Sequence, residues 1–438
     1  MDHAKMFIVL IFALTGWAFG PLPQPIISLT LILYLDVLGI SSFGTGLEGY
    51  AQPFVWLLVA TFIIAAAFEN TGLGRRIALV IFSLVKGNGN ASVALVIVAL
   101  TALSFLIPTG AGRIAMILPV CVGLIEVVKE NNLGKTYAKN VLLGVTITSS
   151  IMSFSLITGS SSSVYAASAI NNLTGYTWNY LSWFVAHFPI ALAFIFSLWL
   201  ILRWRFPLKA EEGGKGKEYI DRQLAEIGKV KKSELKLIII SIFMIVAWMT
   251  EPLHHYSVAM IAMLSALLCC FPITGMQTWK QASSKIDWDV IILFGAAYAL
   301  ADAMHTNGTA SWLASILAEF IPAKSPVLAA IVMVSIVTVF RLGFANMLGV
   351  TAVFLPLTIS LAEALSINPI WLAQIVIITC SFGYFLPSQS PANLMTYSKG
   401  EYTKAELSTV GIFMLIVTIP IMYIFAFYYW PLIGLNPF

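Results

Sequence analysis

Long apolar runs recur along almost the whole of this sequence, and they constrain its fold more than any other feature. Of its 438 residues, 59% are hydrophobic and only 10% are charged, whereas charged residues make up about 25% of soluble globular domains. A helix needs about 20 mainly apolar residues to cross the hydrocarbon core of a bilayer. We therefore expect an all-α polytopic membrane protein of a plasma or inner membrane, embedded in the lipid bilayer. A soluble enzyme or a nucleic-acid partner is not expected, in spite of the net charge of +4.

Ten apolar runs have the length and composition of membrane spans. They lie near residues 6–20, 26–40, 54–70, 136–165, 180–203, 236–253, 257–272, 289–305, 370–390 and 406–432. The first is expected to be a span rather than a cleaved signal, because no small-residue cleavage pattern precedes Pro21. The four cysteines fall inside apolar runs without metal-ligand spacing, so we expect neither a disulfide framework nor a zinc site.

Two further apolar stretches, residues 91–126 and 325–362, are each interrupted near the middle by Gly, Pro or Arg. The interruptions lie at residues 108–113 and 341–346. In the first stretch each arm holds about 12 residues and reaches only about 18 Å. We therefore predict two re-entrant hairpins that enter the membrane and turn back. Non-helical backbone persists at membrane depth only where it is buried in protein or lines a polar cavity.

The basic residues indicate how the spans are oriented, because cytoplasmic loops are rich in Lys and Arg. If the loop at 203–236 is cytoplasmic, strict alternation of the spans places all but four of the 24 Lys and Arg residues on the cytoplasmic side. Lys5 and Lys324 fall outside, and Arg113 and Arg341 lie within the predicted hairpins. Both termini are then predicted on the outer face.

The chain divides into two similar halves, residues 1–207 and 237–438, joined by a hydrated cytoplasmic linker at 208–236. In each half a span is followed by a short interfacial segment, a hairpin that contains Leu-Pro, and a span broken near its far end. The loop alternation opens the first hairpin inside and the second outside, so the repeats are inverted. Inverted repeats with two broken helices are typical of secondary transporters.

Polar residues cluster at equivalent points of the two broken spans. Hydroxyl, amide and freed backbone groups there can bind the oxygens of an anion, and helix N-termini add partial positive charge. The alternative is a serine-rich, tightly packed helix contact. The candidate binding residues are Thr158, Gly159, Ser160, Ser161 and Ser162 in the first half, and Ser388, Ser390, Pro391 and Asn393 in the second.

Two arginines stand out because a charged side chain inside a bilayer costs several kcal/mol unless it pairs, faces water or binds a ligand. Arg113 and Arg341 are both candidates for anion binding. Alternatively, Arg113 pairs with Glu69 or Glu126. Arg341 could instead pair with Asp302 or extend outward to the membrane surface.

Several segments resemble the divalent anion/sodium symporter family, which includes citrate, dicarboxylate and sulfate carriers. They are residues 71–78, 115–119, 286–288 and, above all, 387–400, which is similar to the family's Pro-x-x-Thr-Pro-Pro-Asn run ending in Gly. The resemblance covers nearly the whole chain. It implies a homodimer of scaffold and mobile transport domains that works by an elevator movement. It also implies that the substrate lies between the hairpin tips and the broken spans, which adds Thr109, Gly110 and Asn346 to the predicted site.

The chain departs from the family pattern in two ways. The family usually has one more span at the start. Its members also carry Ser-Asn-Thr at both hairpin tips, where this chain has Pro108-Thr109-Gly110 and Ala345-Asn346-Met347. A sodium ion near Thr109, Gly110 and Asn346 would have to rely on backbone carbonyls. No other cofactor is expected, and Arg113 supplies a fixed positive charge that a bound sodium would otherwise provide.

The sequence thus favours a secondary carrier of a small di- or multivalent anion, such as a di- or tricarboxylate, sulfate or a sulfonate. Sodium symport, proton-coupled uptake and anion exchange all stay open, and an anion channel is a further alternative. No His-Glu-x-x-His or Gly-x-Ser-x-Gly pattern occurs, so no catalytic residues are expected.

Overall fold

Helices joined by short links account for the architecture of the chain. The structure, a computed structural model, describes residues 2–19, 22–84, 89–107, 109–129, 134–208 and 214–438, and these ranges contain no strand. The helices up to the linker are α1 Asp2–Phe19, α2 Gln24–Val37, α3 Phe43–Leu47, α4 Pro53–Thr71, α5 Leu73–Phe82, α6 Gly89–Ser104, α7 Gly110–Lys129, α8 Gly134–Ser155, α9 Ser161–Thr174, α10 Tyr180–Arg205 and α11 Gly214–Ile227. Those that follow are α12 Lys232–Met249, α13 Glu251–His254, α14 Val258–Cys270, α15 Trp279–Ser283, α16 Trp288–Thr306, α17 Thr309–Glu319, α18 Pro326–Arg341, α19 Met347–Ala364, α20 Pro369–Cys380, α21 Pro391–Tyr397, α22 Lys404–Ile424 and α23 Trp430–Leu432. Pro21 and Pro108 of the sequence predictions, and residues 209–213 of the predicted linker, lie outside the described residues.

Six of the described helices are long and apolar enough to cross a membrane. They are α4, α7, α10, α16, α19 and the continuous run from α22 to α23, which passes through a π-helical turn at Phe425–Tyr429. Shorter apolar helices are α1, α2, α6, α14, α18 and α20. This array of apolar helices confirms the prediction of an all-α polytopic membrane protein.

The two predicted hairpins are helix pairs, α6 with α7 and α18 with α19, but their arms are unequal. The second arms have 20 and 18 residues, or roughly 30 and 27 Å of helix. The predicted second arms were too short. α7 begins at Gly110, inside the predicted interruption, and runs past residue 126, while α19 begins directly after the second interruption and runs past residue 362. The apolar length of these arms no longer argues for a turn inside the membrane, and re-entry stays a prediction.

Both predicted broken spans are broken in the structure. α8 ends at Ser155 and α9 begins at Ser161, while α20 ends at Cys380 and α21 begins at Pro391. The side chain of Ser160 caps α9 by accepting a hydrogen bond from the Ser163 backbone N–H at 3.2 Å. Ser390 caps α21 in the same way at the Asn393 N–H, at 3.1 Å. Capping serines placed after a non-helical link therefore restart each helix.

Helices at corresponding positions in the two halves pack in corresponding ways. α4 packs on α14, and its counterpart α16 packs on α2. α8 contacts α6 and α7, as α20 contacts α18 and α19. This packing is consistent with repeats at residues 1–207 and 237–438; the repeats and their inverted orientation both stay predictions.

The linker between the halves contains a helix that packs on the protein rather than only a hydrated connector. Ile220 of α11 is fully buried, and the ring of Tyr219 lies against Gly123 of α7. The Arg75 side chain of α5 donates a hydrogen bond to Gln223 of α11. The linker helix therefore contacts both α5 and α7.

The four ion pairs of the described residues join segments that the charge rule places on one side. All eight partners come from segments predicted to be cytoplasmic, so the fold is consistent with the predicted sidedness. The orientation itself stays a prediction. The pairs are Arg76 with Glu234 at 3.0 Å, Lys129 with Glu401 and Lys139 with Glu406 at 2.5 Å, and Lys285 with Glu69 at 2.6 Å.

Candidate functional site

The N-termini of four helices, α7, α9, α19 and α21, converge on a cavity of about 160 Å³. Two of these helices belong to the hairpins and two to the broken spans. Nine residues predicted from sequence line the cavity: Thr109, Gly110, Arg113, Ser160, Ser161, Ser162, Asn346, Ser390 and Pro391. The prediction that hairpin tips and helix breaks meet at one place is therefore supported by the geometry.

Each of the four helices is capped by a side chain at the cavity. A capping oxygen accepts a backbone N–H that the helix leaves unpaired, and aligned peptide dipoles give a helix N-terminus partial positive charge. Converging N-termini therefore favour an anion in the cavity. The caps are Thr109, which accepts from the Gly112 N–H at 3.1 Å, Ser160, Ser390, and Asn346, which accepts from the Leu348 N–H at 2.8 Å.

Arg113 lies in the first turn of α7 and is fully buried. Its guanidinium donates to the carbonyl oxygens of Ile107 at 3.1 Å, Gly159 at 2.9 Å and Ser149 at 3.3 Å. Its Nε atom is buried and has no protein partner. The guanidinium thus connects the first hairpin to both sides of the first helix break, and it neither pairs with Glu69 nor with Glu126. Since its charge is not neutralised by these carbonyls, it remains available to an anion in the cavity.

Arg341 is also fully buried but does not line the cavity. Its guanidinium donates to the carbonyl oxygens of Phe344 at 2.5 Å, Cys380 at 2.9 Å and Gln389 at 3.0 Å. Gly383 makes room for it, because a side-chain carbon there would overlap the guanidinium. The structure therefore places Arg341 behind the cavity wall instead of in direct contact with its interior or with Asp302.

Four other predicted residues do not line the cavity. Thr158 is buried and lines a separate small cavity with Trp248, and Gly159 contributes its carbonyl to Arg113. Ser388 is exposed and lies outside the cavity lining. Asn393 donates from its amide to the carbonyls of Gly383 at 2.7 Å and Leu386 at 3.1 Å, and so holds the second break in shape.

The structure adds cavity residues that the sequence analysis missed. Ser149, Ser150 and Ser153 of α8 line it on one helix face, and serines within an otherwise apolar span were the available signal. The remaining wall comes from Phe62 of α4 and from Asp287 and Val290 at the start of α16, which no local pattern connects to the hairpins. Further lining residues are Ala111, Ala345, Met347 and Ala392.

The residues predicted near sodium already make other contacts, and a sodium site there stays a prediction. The side-chain oxygens of Thr109 and Asn346 already serve as helix caps, and the Asn346 amide donates to Gln24 at 3.3 Å. Carbonyl oxygens near both tips are bound by the two guanidinium groups. A sodium ion beside Gly110 would then lie close to a buried positive charge, which is unfavourable.

A second, larger cavity of about 530 Å³ adjoins the first. The two share Phe62, Thr109, Ala111 and Asp287. The larger cavity, which we call the vestibule, is also lined by Glu69, Arg75 and Lys285. These three residues belong to segments that are predicted to be cytoplasmic, so the vestibule connects the small cavity to the predicted inner face.

A polytopic helical fold with two broken helices is typical of membrane transporters, and a cavity walled by helix N-termini and a buried arginine favours an anionic ligand. The chain belongs to the family of the sodium:sulfate symporter transmembrane region, which it matches over residues 1–436. This match confirms the resemblance drawn from the sequence.

Individual relatives agree with this assignment. The chain is 26% identical over 402 residues to a membrane protein of Cupriavidus necator, covering 90% of this chain and 77% of that protein. It is 22% identical over 444 residues to the sodium-dependent dicarboxylate transporter SdcS of Staphylococcus saprophyticus, covering 95% and 84%. Among solved structures, the Alcanivorax borkumensis YdaH transporter matches with a TM-score of 0.58 at 12% identity, covering 92% of this chain and 90% of that one. The likeness to the solved structure shows the fold, and the family places the chain among membrane transporters.

Proposed function

We propose that the cavity of about 160 Å³ is the substrate site, and that it takes one small di- or multivalent anion at a time. Pockets for drug-sized ligands are about 300 to 1,000 Å³, so this cavity suits a short dicarboxylate, sulfate or a small sulfonate. Arg113 and the four helix N-termini supply positive charge, and the α8 and α9 serines supply hydroxyl donors. The convergence of these groups on one cavity carries the proposal.

The test is counterflow uptake by the purified protein in proteoliposomes. Vesicles loaded with one unlabelled anion would be diluted into labelled succinate, citrate, sulfate or a small organosulfonate. We expect uptake of at least one member of this panel above that of protein-free vesicles. Uptake of none of them, by protein shown to be folded, would contradict the proposal.

The transport movement is proposed to be an elevator movement within a homodimer. Hairpins and broken helices form most of the cavity, while α4 and the start of α16 form the remaining wall. A sliding movement of the first group past the second would carry the anion from one face to the other. Cross-linking a cysteine introduced at Ala111 to one introduced at Phe62 should stop transport. Cross-linking a cysteine in α4 to one in α14 should not.

Exchange of one anion for another is the coupling that the arginines favour. A guanidinium stays protonated, so an empty site would carry uncompensated positive charge through the bilayer, whereas a loaded site would be partly neutralised. We infer that the loaded site crosses readily and the empty site slowly. Sodium symport is the second candidate, and it is favoured by the similarity to SdcS, a sodium-dependent dicarboxylate transporter.

Uptake with sodium replaced by choline, with and without internal anion, separates these two candidates. Exchange predicts uptake that is independent of sodium and stimulated by internal anion. Strict dependence on a sodium gradient, without stimulation by internal anion, would instead support symport. Accumulation against an anion gradient in either case separates a carrier from a channel.

A further inference from the structure

An acidic residue lines the anion cavity together with Arg113. Asp287 directly precedes α16 and belongs to the wall that Phe62 and Val290 complete. Among the described residues that line this cavity, Arg113 and Asp287 are the two charged ones. A carboxylate in the wall of an anion site opposes binding, because like charges repel across a small distance.

Asp287 takes part in none of the four ion pairs that the described residues form. Its carboxylate accepts a hydrogen bond from the Val290 backbone N–H at 3.3 Å and so caps α16. Asn caps helices about as well as Asp. Helix capping therefore explains why a side-chain oxygen is found at this position, but it does not explain why the side chain is charged.

The position of Asp287 links the cavity to the vestibule, since it lines both. Of the other charged residues of the vestibule, Glu69 and Lys285 pair with each other at 2.6 Å, and Arg75 donates to Gln223. An anion that leaves the cavity toward the vestibule therefore passes beside the Asp287 carboxylate. None of the ion pairs described above neutralises this carboxylate.

We infer that Asp287 weakens anion binding at the face to which the vestibule opens, and at that face alone. The inference rests on the proposed elevator movement. Asp287 lies in the wall formed with α4 and α16, so a site that moves with the hairpins leaves this carboxylate behind when it reaches the other face. Asp287 thus promotes release of the anion into the vestibule and makes the two faces unequal in affinity.

Protonation of Asp287 removes the repulsion. Asp287 is exposed at the cavity surface, yet partial desolvation there raises its pKa above its ordinary value. The hydrogen bond from Val290 opposes this rise, and the nearby Asp289 carboxylate adds to it. The other charged groups that line the same two cavities are Arg113, Glu69, Arg75 and Lys285. Since the neutral acid forms as the pH falls through its pKa, affinity at the vestibule face should rise at low pH.

The experiment compares right-side-out and inside-out membrane vesicles that contain the full chain and are preloaded with unlabelled succinate or sulfate. The half-saturating concentration of labelled succinate or sulfate is measured for the wild type, Asp287→Asn and Asp289→Asn. Asn keeps the cap, and Asp289 is an exposed acid at the same helix start that lines neither cavity. Sulfate stays divalent across the pH range, so its pH dependence reports on the protein.

We expect Asp287→Asn to lower the half-saturating concentration about three- to tenfold in inside-out vesicles and to leave it unchanged in right-side-out vesicles. The wild type should approach the value of the variant as the pH falls. Asp289→Asn should match the wild type near neutral pH and approach the variant's value only at a lower pH, because the Asp289 charge no longer raises the pKa of Asp287. An unchanged value for Asp287→Asn in inside-out vesicles, or an equal decrease at both faces, would overturn the inference. Wild-type vesicles that exchange neither anion would contradict the proposed function instead.

Discussion

Arg113 and Arg341 make equivalent contacts in the two halves of the chain, Arg113 from the second arm of its hairpin and Arg341 from the end of the first arm. Each guanidinium binds a carbonyl of its own hairpin, a carbonyl on the first half of the adjacent broken helix, and the carbonyl directly before the cap of the second half. The last of these belong to Gly159 and Gln389, which precede Ser160 and Ser390. Each arginine therefore fastens one hairpin tip to one helix break, and only Arg113 also faces the cavity.

Replacing Arg113 should separate its two roles. Arg113→Gln keeps some donors but removes the charge, so we expect transport to fall to background together with a loss of stability. Arg113→Lys keeps the charge but cannot span three carbonyls, and should retain detectable anion binding. The loss of stability should be about 2 kcal/mol or more in both, because buried carbonyls lose their partners. Counterflow uptake and thermal unfolding in detergent measure the two effects. Wild-type transport by folded Arg113→Gln would exclude the anion-binding role.

Arg341→Gln should destabilise the protein by a similar amount, but it should change the half-saturating anion concentration less than Arg113→Gln, because Arg341 lies behind the cavity wall. If buried positive charge slows the movement of the empty site across the bilayer, this variant should also show a higher ratio of net efflux to exchange than the wild type. Efflux from loaded vesicles with and without external anion measures that ratio. A ratio equal to that of the wild type would contradict the proposed role of the charge in coupling.

Serines inside and outside the cavity should respond differently to alanine. Ser149→Ala and Ser161→Ala each remove a hydroxyl donor from the lining, and a hydrogen bond to a charged group contributes about 1.5 to 3 kcal/mol. Each should raise the half-saturating concentration roughly tenfold. Ser388→Ala is the matched control, because Ser388 is exposed outside the cavity lining. Equal effects of all three substitutions on affinity would place the binding site elsewhere.

Because Gly123 lies against Tyr219, we predict that Gly123→Ala changes stability in opposite directions in two backgrounds. Gly123→Ala in the wild type should displace α11 and destabilise the protein, because the new methyl group overlaps the Tyr219 ring. In a Tyr219→Ala background the same change should stabilise by about 1 kcal/mol, since Ala is the better helix former. Thermal unfolding of the four proteins completes the double-mutant cycle. An equal effect in both backgrounds would show that α11 does not lie on α7.

The apolar runs alone determined the all-α polytopic fold and most helix positions, because the bilayer requires long apolar helices whatever their tertiary contacts. Glycine, proline and serine likewise marked both helix breaks, since local backbone chemistry decides where a helix stops and restarts. Arg113 and the capping residues Ser160 and Ser390 were recognisable for the same reason.

Only the tertiary structure decided which of these polar residues share a cavity. Arg341 has the same sequence signal as Arg113, yet carbonyl oxygens more than 35 positions away in the chain hold it behind the wall. Phe62 carries no local signal, and Asp287 stands in a family-like segment that does not show that it borders the hairpins. They reach the site because α4 and the start of α16 line the same cavity as the hairpin tips. The sequence specifies which groups are polar at membrane depth, whereas their distances depend on helix packing between segments far apart in the chain.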